Sequence, residues 1–179
     1  MNDMIRAVSM GVLALACASA HAEQRTPVDS ITTATWEQYR AEYWPSPLCG
    51  EDEITLWSCE AGKRAYALCA SRVVTRSAGY LQYRAARHGK LEFTYPQQKK
   101  PPLGSFTYQS FANGNASVEF SNGGYGYTLV DPLRQASSIL VTPPSGQGKQ
   151  IEITCGGNQT LQVNYTMRLM YDAGIWSDY

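Results

Sequence analysis

Few side chains in this sequence could carry out acid/base or nucleophilic chemistry. The two histidines are His21, near the N terminus, and His88, which precedes Gly89 between two strand-like segments. That setting predicts an exposed turn, where a histidine is far more often solvated than catalytic. The sequence also lacks a Gly-x-Ser-x-Gly nucleophile motif and a phosphate-binding loop.

Carboxylates are the remaining candidates for acid/base chemistry. Glu51, Asp52 and Glu53 are consecutive, and Glu119 lies in a strand-like segment. Two carboxylates a few ångströms apart are all that glycoside hydrolysis requires, so sequence spacing does not exclude it. The acidic run reads first as a solvated loop, and it lacks the pattern of a calcium-binding loop. We therefore predict no catalytic residue, no metal site and no cofactor, with a glycan-binding or glycan-active envelope domain as the alternative.

The charge balance narrows the classes of partner. The chain has 179 residues, with 15 Lys and Arg against 15 Asp and Glu. Recognition of a phosphate backbone requires a surplus of cationic side chains, so nucleic acid is not a predicted partner. Because 44% of the residues are apolar, the chain can bury a core. One folded domain, residues 23–179, is the expectation.

The first 22 residues have the features of a secretory signal peptide. Arg6 gives a positive start, residues 7–18 are almost entirely small and apolar, and the tripeptide ending at Ala22 suits a signal peptidase. We expect cleavage after Ala22 and a periplasmic or secreted protein. No other stretch is long and apolar enough to form a transmembrane segment. The alternative is a lipoprotein anchored at Cys17.

Residues 53–59 and 64–71 read as a hairpin around a four-residue turn. In that register Cys59 lies opposite Arg64, and Cys69 lies roughly 17 Å away along the strands. The two cysteines also fall on opposite faces of the hairpin. This register therefore disfavours a bond between them.

Four cysteines follow the leader, and an oxidising compartment would pair them in one of three ways. The connection from Cys49 to the hairpin is too short for Cys49 to reach back to Cys59. Two disulfides are therefore predicted, Cys49 with Cys69 and Cys59 with Cys155.

Short segments with alternating apolar residues recur along the chain between turn-forming Gly, Pro, Asn and Ser. They are residues 53–59, 64–71, 80–86, 90–95, 106–111, 116–120, 125–131, 138–142 and 150–155. Such spacing without crossover helices predicts a mainly β protein, an antiparallel sandwich or barrel of about eight strands. In the fourth segment Leu91 is expected to point inward with Phe93 and Tyr95.

The two ends of the chain have a different pattern. Trp36, Tyr39 and Tyr43 recur at three and four residues, which predicts a short N-terminal helix ending before Pro45. The segment from Asn158 onward fits either a helix or an edge strand.

Two loops have the composition of contact surfaces. One is the predicted hairpin tip around residues 121–127, where Tyr offers a large rigid ring and Gly and Asn let the backbone adapt. The other is residues 97–102, a proline-stiffened loop with two lysines. The candidate partner-binding residues are Asn122, Gly123, Gly124, Tyr125, Tyr127, Lys99 and Lys100. Plain turn chemistry is the competing interpretation of both loops.

The lack of catalytic groups, together with these loops, predicts a non-catalytic module that binds a protein partner in the cell envelope. An enzyme inhibitor or an immunity-type protein would act in this way. A structural component of envelope assembly is a further alternative.

Several motifs resemble those of a group of uncharacterised small exported bacterial proteins. They are Trp57-Ser58-Cys59, Gly62-Lys63-Arg64, Leu68-Cys69-Ala70-Ser71, Tyr80-Leu81-Gln82-Tyr83-Arg84, Leu91-Glu92-Phe93-Thr94-Tyr95-Pro96 and Tyr125-Gly126-Tyr127. The resemblance implies export and a shared fold. Residues 121–125 also look like the Ser/Gly-rich loop, bearing a Tyr, that periplasmic lysozyme inhibitors insert into an enzyme cleft.

Overall fold

The structure is a computed structural model that describes residues 45–75, 77–111, 115–132, 135–145 and 147–156. The predicted leader, the alternative lipid-attachment site, the N-terminal helix and the C-terminal segment lie outside these residues. Within them, no helix has the length and apolarity needed to cross a membrane.

Nine β-strands make up the described part of the chain. They are β1 Glu53–Ala61, β2 Arg64–Ser71, β3 Leu81–Arg87, β4 Lys90–Tyr95, β5 Thr107–Ser110, β6 Ala116–Asn122, β7 Tyr125–Asp131, β8 Ser138–Thr142 and β9 Ile151–Thr154. Each coincides with one of the nine alternating segments, with ends that move by no more than two residues. The mainly β prediction is therefore confirmed.

The strands form two antiparallel sheets in which each strand pairs with its neighbours in sequence. The first sheet has the order β1-β2-β3-β4, and the second has the order β5-β6-β7-β8-β9. Residues 96–106 connect the two sheets, and Pro96 follows a cis peptide bond. Most pairings are thus made by local hairpins, which short-range turn signals specify.

The two sheets share one apolar core. Leu68 of the first sheet and Leu129 of the second are both fully buried in it. Tyr83 of β3 contacts Phe120 of β6 with ring centroids 5.0 Å apart, and Tyr95 of β4 stacks on the same ring at 4.6 Å. Each buried side chain of this size contributes about 1.5–3 kcal/mol. The sheets therefore form a sandwich-like fold.

Leu91 does not follow the predicted inward alternation, because it is 51% exposed. Leu91 pairs with Ala86, whereas Phe93 pairs with the next residue of β3, Ala85. Glu92 is thus an extra residue in β4, and such a bulge turns the side chains on its two sides to opposite faces. Phe93 packs on the core, so Leu91 faces outward.

The β1–β2 hairpin also differs in register from the prediction. β1 extends to Ala61, so the turn consists of Gly62 and Lys63 only. Cys59 consequently lies opposite Tyr66 instead of Arg64. The prediction took two strand residues for turn residues, which shifted the pairing by two. Cys69 lies three residues from Tyr66 along β2, so Cys59 and Cys69 still point to opposite sides of the sheet.

Both predicted disulfides are confirmed. Cys49 is bonded to Cys69 with Cα atoms 5.5 Å apart, and Cys59 is bonded to Cys155 with Cα atoms 5.2 Å apart. The first holds the segment before β1 against β2. The second joins β1 of the first sheet to the residue that follows β9 of the second.

The alternating strand directions place each connection at one of two ends, which we name after their disulfides. The Cys59 end carries the turns at residues 62–63 and 88–89, together with Phe111 and Asn115 between β5 and β6. The Cys49 end carries residues 72–75, 77–80, 96–106, 143–145 and 147–150, together with the turn at 123–124. Both predicted contact loops therefore lie at the Cys49 end.

Candidate functional site

A buried carboxylate, Glu53, lies at the Cys49 end. Its side chain is only 2% exposed, and Arg84 binds it through both terminal guanidinium nitrogens, with Nη2 2.7 Å from Oε1. The Tyr80 hydroxyl donates to Oε1 at 2.7 Å, and the backbone N–H of Gly50 donates to Oε2 at 2.7 Å. Both oxygens of Glu53 therefore have partners inside the protein.

These contacts determine the ionisation of Glu53. Burial alone would raise its pKa, but hydrogen bonds from Arg84, Tyr80 and Gly50, with the charge of Arg84, lower the pKa from 4.5 to about 2. Glu53 is thus ionised at neutral pH, where it accepts hydrogen bonds and has no proton to donate. Its neighbours Glu51 and Asp52 are exposed.

Arg84 extends the contacts of Glu53 to other segments. Its Nη1 donates to the carbonyl of Leu48 at 2.8 Å, and its Nη2 donates to Gln82 Oε1 at 2.7 Å. Gln82 in turn donates through Nε2 to the carbonyl of Pro96 at 2.9 Å. We call Glu53, Arg84, Gln82, Tyr80 and Lys99 the Glu53 cluster. It fixes the segment before β1 and the loop after β4 to β3.

The two candidate lysines have different surroundings. Lys99 Nζ donates to the Tyr80 hydroxyl at 2.8 Å, lies 3.3 Å from Glu53 Oε1 and sits 4.4 Å from the centroid of the Tyr80 ring. Lys100 is exposed. Lys99 therefore belongs to the Glu53 cluster, and Lys100 is the lysine of this loop that is available to a partner.

The hairpin tip between β6 and β7 is a two-residue turn. Gly123 and Gly124 have φ values of 58° and 82°, and Asn122 pairs with Tyr125. Positive φ at both central residues identifies a type I′ turn, which matches the twist of the flanking strands. All four residues are exposed, and the Tyr125 ring is 41% exposed.

Tyr127 has a different position from the tip. Its ring stacks on Phe120 at a centroid distance of 4.7 Å and on Phe93 at 5.5 Å. Tyr127 therefore packs on the core between the sheets, and the candidate residues brought together at the tip are Asn122, Gly123, Gly124 and Tyr125.

A cleft of about 350 Å³ opens at the Cys49 end beside the β6–β7 hairpin. Its aromatic lining is Tyr95, Phe106, Phe120 and Tyr127, and its polar lining includes Glu119, Ser105, Thr107, Ser121 and Thr128. The Ser105 hydroxyl is buried and has no hydrogen-bond partner in the described structure. A carboxylate and several hydroxyls are groups that bind sugars or other polyols, whereas the Phe106 and Phe120 rings are 1% and 5% exposed and belong to the core.

His88 lies far from this cleft. It occupies the β3–β4 turn at the Cys59 end with a φ of 50°, and its backbone N–H donates to the backbone carbonyl of Lys63 at 2.9 Å. The length of β4 alone, about 17 Å, separates the turn from Tyr95 in the cleft. His88 therefore does not combine with Glu119 into a catalytic pair.

One grouping of metal-ligating atoms occurs among the described residues. It consists of Cys49, Glu53 and Cys69, whose donor atoms lie within 4.8 Å of one another. The two sulfurs are bonded to each other, so neither is a thiolate, and the Glu53 oxygens accept from Arg84 and Tyr80. This grouping cannot bind a metal while the disulfide is intact.

Sequence reasoning missed the Glu53 cluster. The acidic run that contains Glu53 reads as a solvated loop, and the sequence analysis assigns no role to Arg84. Their contact spans β2, so it depends on the registers of two hairpins at once. Gln82 and Arg84 alternate with Leu81 and Tyr83 as the polar residues of a half-exposed strand do, so the residue pattern contained no signal of this contact.

No protein-family model, no curated protein and no solved structure matches the chain. The resemblances to small exported proteins and to lysozyme inhibitors therefore stay predictions.

Proposed function

We propose that this chain is an exported, non-catalytic binding module that occludes a protein partner of the cell envelope with its Cys49 end. An enzyme inhibitor or an immunity-type protein would work in this way. The observation that carries the proposal is the exposed type I′ turn, which presents Tyr125 beside Asn122.

The conformation of the tip favours binding because little of it has to become ordered. The turn is fixed by backbone pairing on both sides, and Pro144 of the neighbouring loop lies 3.1 Å from the point where a Gly124 Cβ would be. Immobilising a flexible side chain or loop on binding costs about 0.5–1.5 kcal/mol per side chain, and a preformed tip avoids part of this cost. A tyrosine ring adds a large apolar contact with a polar hydroxyl.

The rest of the molecule supports this role and its location. Two disulfides indicate folding in an oxidising compartment, which agrees with export after cleavage at Ala22. Glu53 is ionised and hydrogen-bonded to Arg84, and His88 lies at the opposite end of the molecule from the cleft. Glu53 and His88 therefore do not form an acid/base pair. Lys100, exposed beside the Glu53 cluster, would add a charged contact at the rim.

The test is affinity capture from periplasmic extract, followed by measurement of the dissociation constant for the recovered partner. Tyr125→Ala should weaken binding by at least about tenfold if the ring is a central anchor. Phe111→Ala is the matched control, because Phe111 is 48% exposed but lies at the Cys59 end. Equal binding by wild type and Tyr125→Ala would exclude the tip as the contact.

The cleft favours a second candidate, a glycan-binding domain. Its carboxylate, Glu119, lies in a row with Thr107 and Thr128 across β5, β6 and β7, and the cleft volume suits one or two sugar rings. Peptidoglycan fragments at 100 times their dissociation constant would then add roughly 2.7 kcal/mol of stability. A thermal shift that Glu119→Gln abolishes and Tyr125→Ala retains would favour this candidate over the first.

A further inference from the structure

Three positive side chains lie side by side at the Cys59 end. Arg64 at the start of β2 pairs directly with Arg87 at the end of β3, and Arg87 pairs with Lys90 at the start of β4. Directly paired residues have Cβ atoms about 4.5–5.5 Å apart on the same face of a sheet. All three residues are exposed. We call them the basic row.

Two further residues extend the basic row along the adjoining turns. Lys63 and His88 occupy the β1–β2 and β3–β4 turns. The backbone N–H of His88 donates to the backbone carbonyl of Lys63, which holds the two turns together. The described residues contain nine Lys and Arg, and four of these are Lys63 and the three of the row. The clustering is local, since the chain as a whole has no net charge.

This arrangement has a cost in stability. Like charges in directly opposed positions of a sheet are destabilising, and the row contains two such pairs. In the first sheet the acidic residues at this end are Glu60 and Glu92, and Glu92, after the Tyr66 hydroxyl, contributes to raising the pKa of Arg64. At this end of the first sheet, four positive side chains and two negative ones leave a net positive surface. Such a surface is explained if an anionic partner covers it.

We propose that the Cys59 end binds the phosphate headgroups of an anionic membrane surface. The three cations of the row are presented by the ends of neighbouring strands, so they form a broad array that can meet several headgroups at once. Each Lys or Arg near such a surface strengthens binding by about fivefold. The attraction is screened by salt, because the charges are exposed.

Exposed apolar side chains at the same end of the molecule favour a membrane over other polyanions. Leu91 follows Lys90, so its side chain projects from the opposite face of the first sheet to the basic row, where it is 51% exposed. Phe111, 48% exposed, lies at the same end of the second sheet. An end of a protein that carries both basic and exposed apolar residues has the composition of surfaces that bind at the boundary between headgroups and acyl chains. A soluble polyanion would leave Leu91 and Phe111 uncovered.

This binding is independent of the proposed function, because it uses the opposite end of the molecule. A protein held to a membrane by its Cys59 end would direct the tip with Tyr125 and the cleft away from the lipid. Both surfaces could then be occupied at the same time.

The test is sedimentation of purified protein with vesicles of phosphatidylcholine, with and without phosphatidylglycerol. We expect binding to the anionic vesicles only, and a decrease as salt is raised. Arg64→Gln/Arg87→Gln should reduce the partition coefficient by at least about tenfold. Lys100→Gln/Lys149→Gln removes the same charge from exposed residues at the Cys49 end and should bind like the wild type.

The outcomes distinguish the alternatives. Loss of binding in the arginine double variant, with retention in the lysine double variant and unchanged thermal midpoints, would support the proposal. Equal vesicle binding by both double variants, or no preference for phosphatidylglycerol, would overturn it. Tighter binding to double-stranded DNA or to a sulfated polysaccharide than to anionic vesicles would also overturn it, by assigning the row to another polyanion.

Discussion

At the scale of single residues, the ion pair between Glu53 and Arg84 decides how the Cys49 end is held. Surface ion pairs contribute little, because solvent and salt screen them. Glu53 is 2% exposed and Arg84 is 12% exposed at the side chain, so this pair is shielded from water. Removal of one partner leaves the other charge buried without compensation, which is more costly than the loss of an exposed pair.

Arg84→Met is therefore expected to lower the free energy of unfolding by about 3–5 kcal/mol, because Glu53 would remain charged and buried. Lys99→Met is the matched control, since Lys99 contacts the same carboxylate but is 52% exposed at the side chain. It should cost less than about 1 kcal/mol. Urea unfolding of both variants measures the difference, and equal losses would show that the cluster is not shielded from solvent.

The same carboxylate predicts how stability depends on pH. Glu53 has a pKa of about 2 in the folded state and an ordinary value of 4.5. Its stabilising contribution is therefore fully present above about pH 4.5 and is lost as the pH falls towards 2. We expect Glu53→Gln to be less stable than wild type at neutral pH and to lose less stability across this window. Parallel slopes for the two proteins between pH 4.5 and 2 would contradict the assignment.

At the scale of elements, hairpins explain why most of the fold could be predicted. Alternation and turn residues are local signals, and they specified all nine strands because each strand pairs with its neighbours in sequence. The errors arose where a local signal was ambiguous. The predicted turn includes Ala61, which in the structure ends β1. The bulge at Glu92 turns the Leu91 side chain to the other face of the sheet, and nothing in the alternation of residues indicates that bulge.

The candidate site depends on information that the sequence does not carry locally. The tip was predicted, since Gly123 and Gly124 are typical of a tight turn. The Glu53 cluster joins residues 31 positions apart and required the registers of two hairpins. The basic row required a correct β2–β3 pairing, and its three residues are unremarkable when they are read along the chain.

The β6–β7 turn makes a prediction about two adjacent glycines. Gly124 has a φ of 82° and its added Cβ would lie 3.1 Å from Pro144 Cγ, so Gly124→Ala should destabilise the protein by about 1–2 kcal/mol. Gly123 has open space around it, and asparagine is favoured at the first position of a type I′ turn. Gly123→Asn should therefore be nearly neutral. Thermal unfolding compares the two, and a larger loss for Gly123→Asn would contradict the assigned turn.

At the scale of the whole molecule, the two disulfides have different tasks. Cys59–Cys155 joins the edge strand β1 of the first sheet to the residue after the edge strand β9 of the second, and it closes a loop with a sequence separation of 96. Cys49–Cys69 closes a loop with a sequence separation of 20. In the chain-entropy model these loops contribute about 4–5 and about 3 kcal/mol respectively. The bond that keeps the sheets together is thus also the one that restricts the unfolded chain more.

Exposure predicts that a mild reductant will open the two disulfides in a fixed order. Cys59 and Cys155 are both buried, whereas Cys49 is only half-buried, so an attacking thiolate reaches the Cys49–Cys69 bond first. Its opening frees the segment that supplies the Gly50 N–H to Glu53. The pKa of Glu53 should then rise, and acid unfolding should begin at higher pH, while the sheets stay joined. Thiol labelling with peptide mapping gives the order, and initial labelling of Cys155 would contradict it.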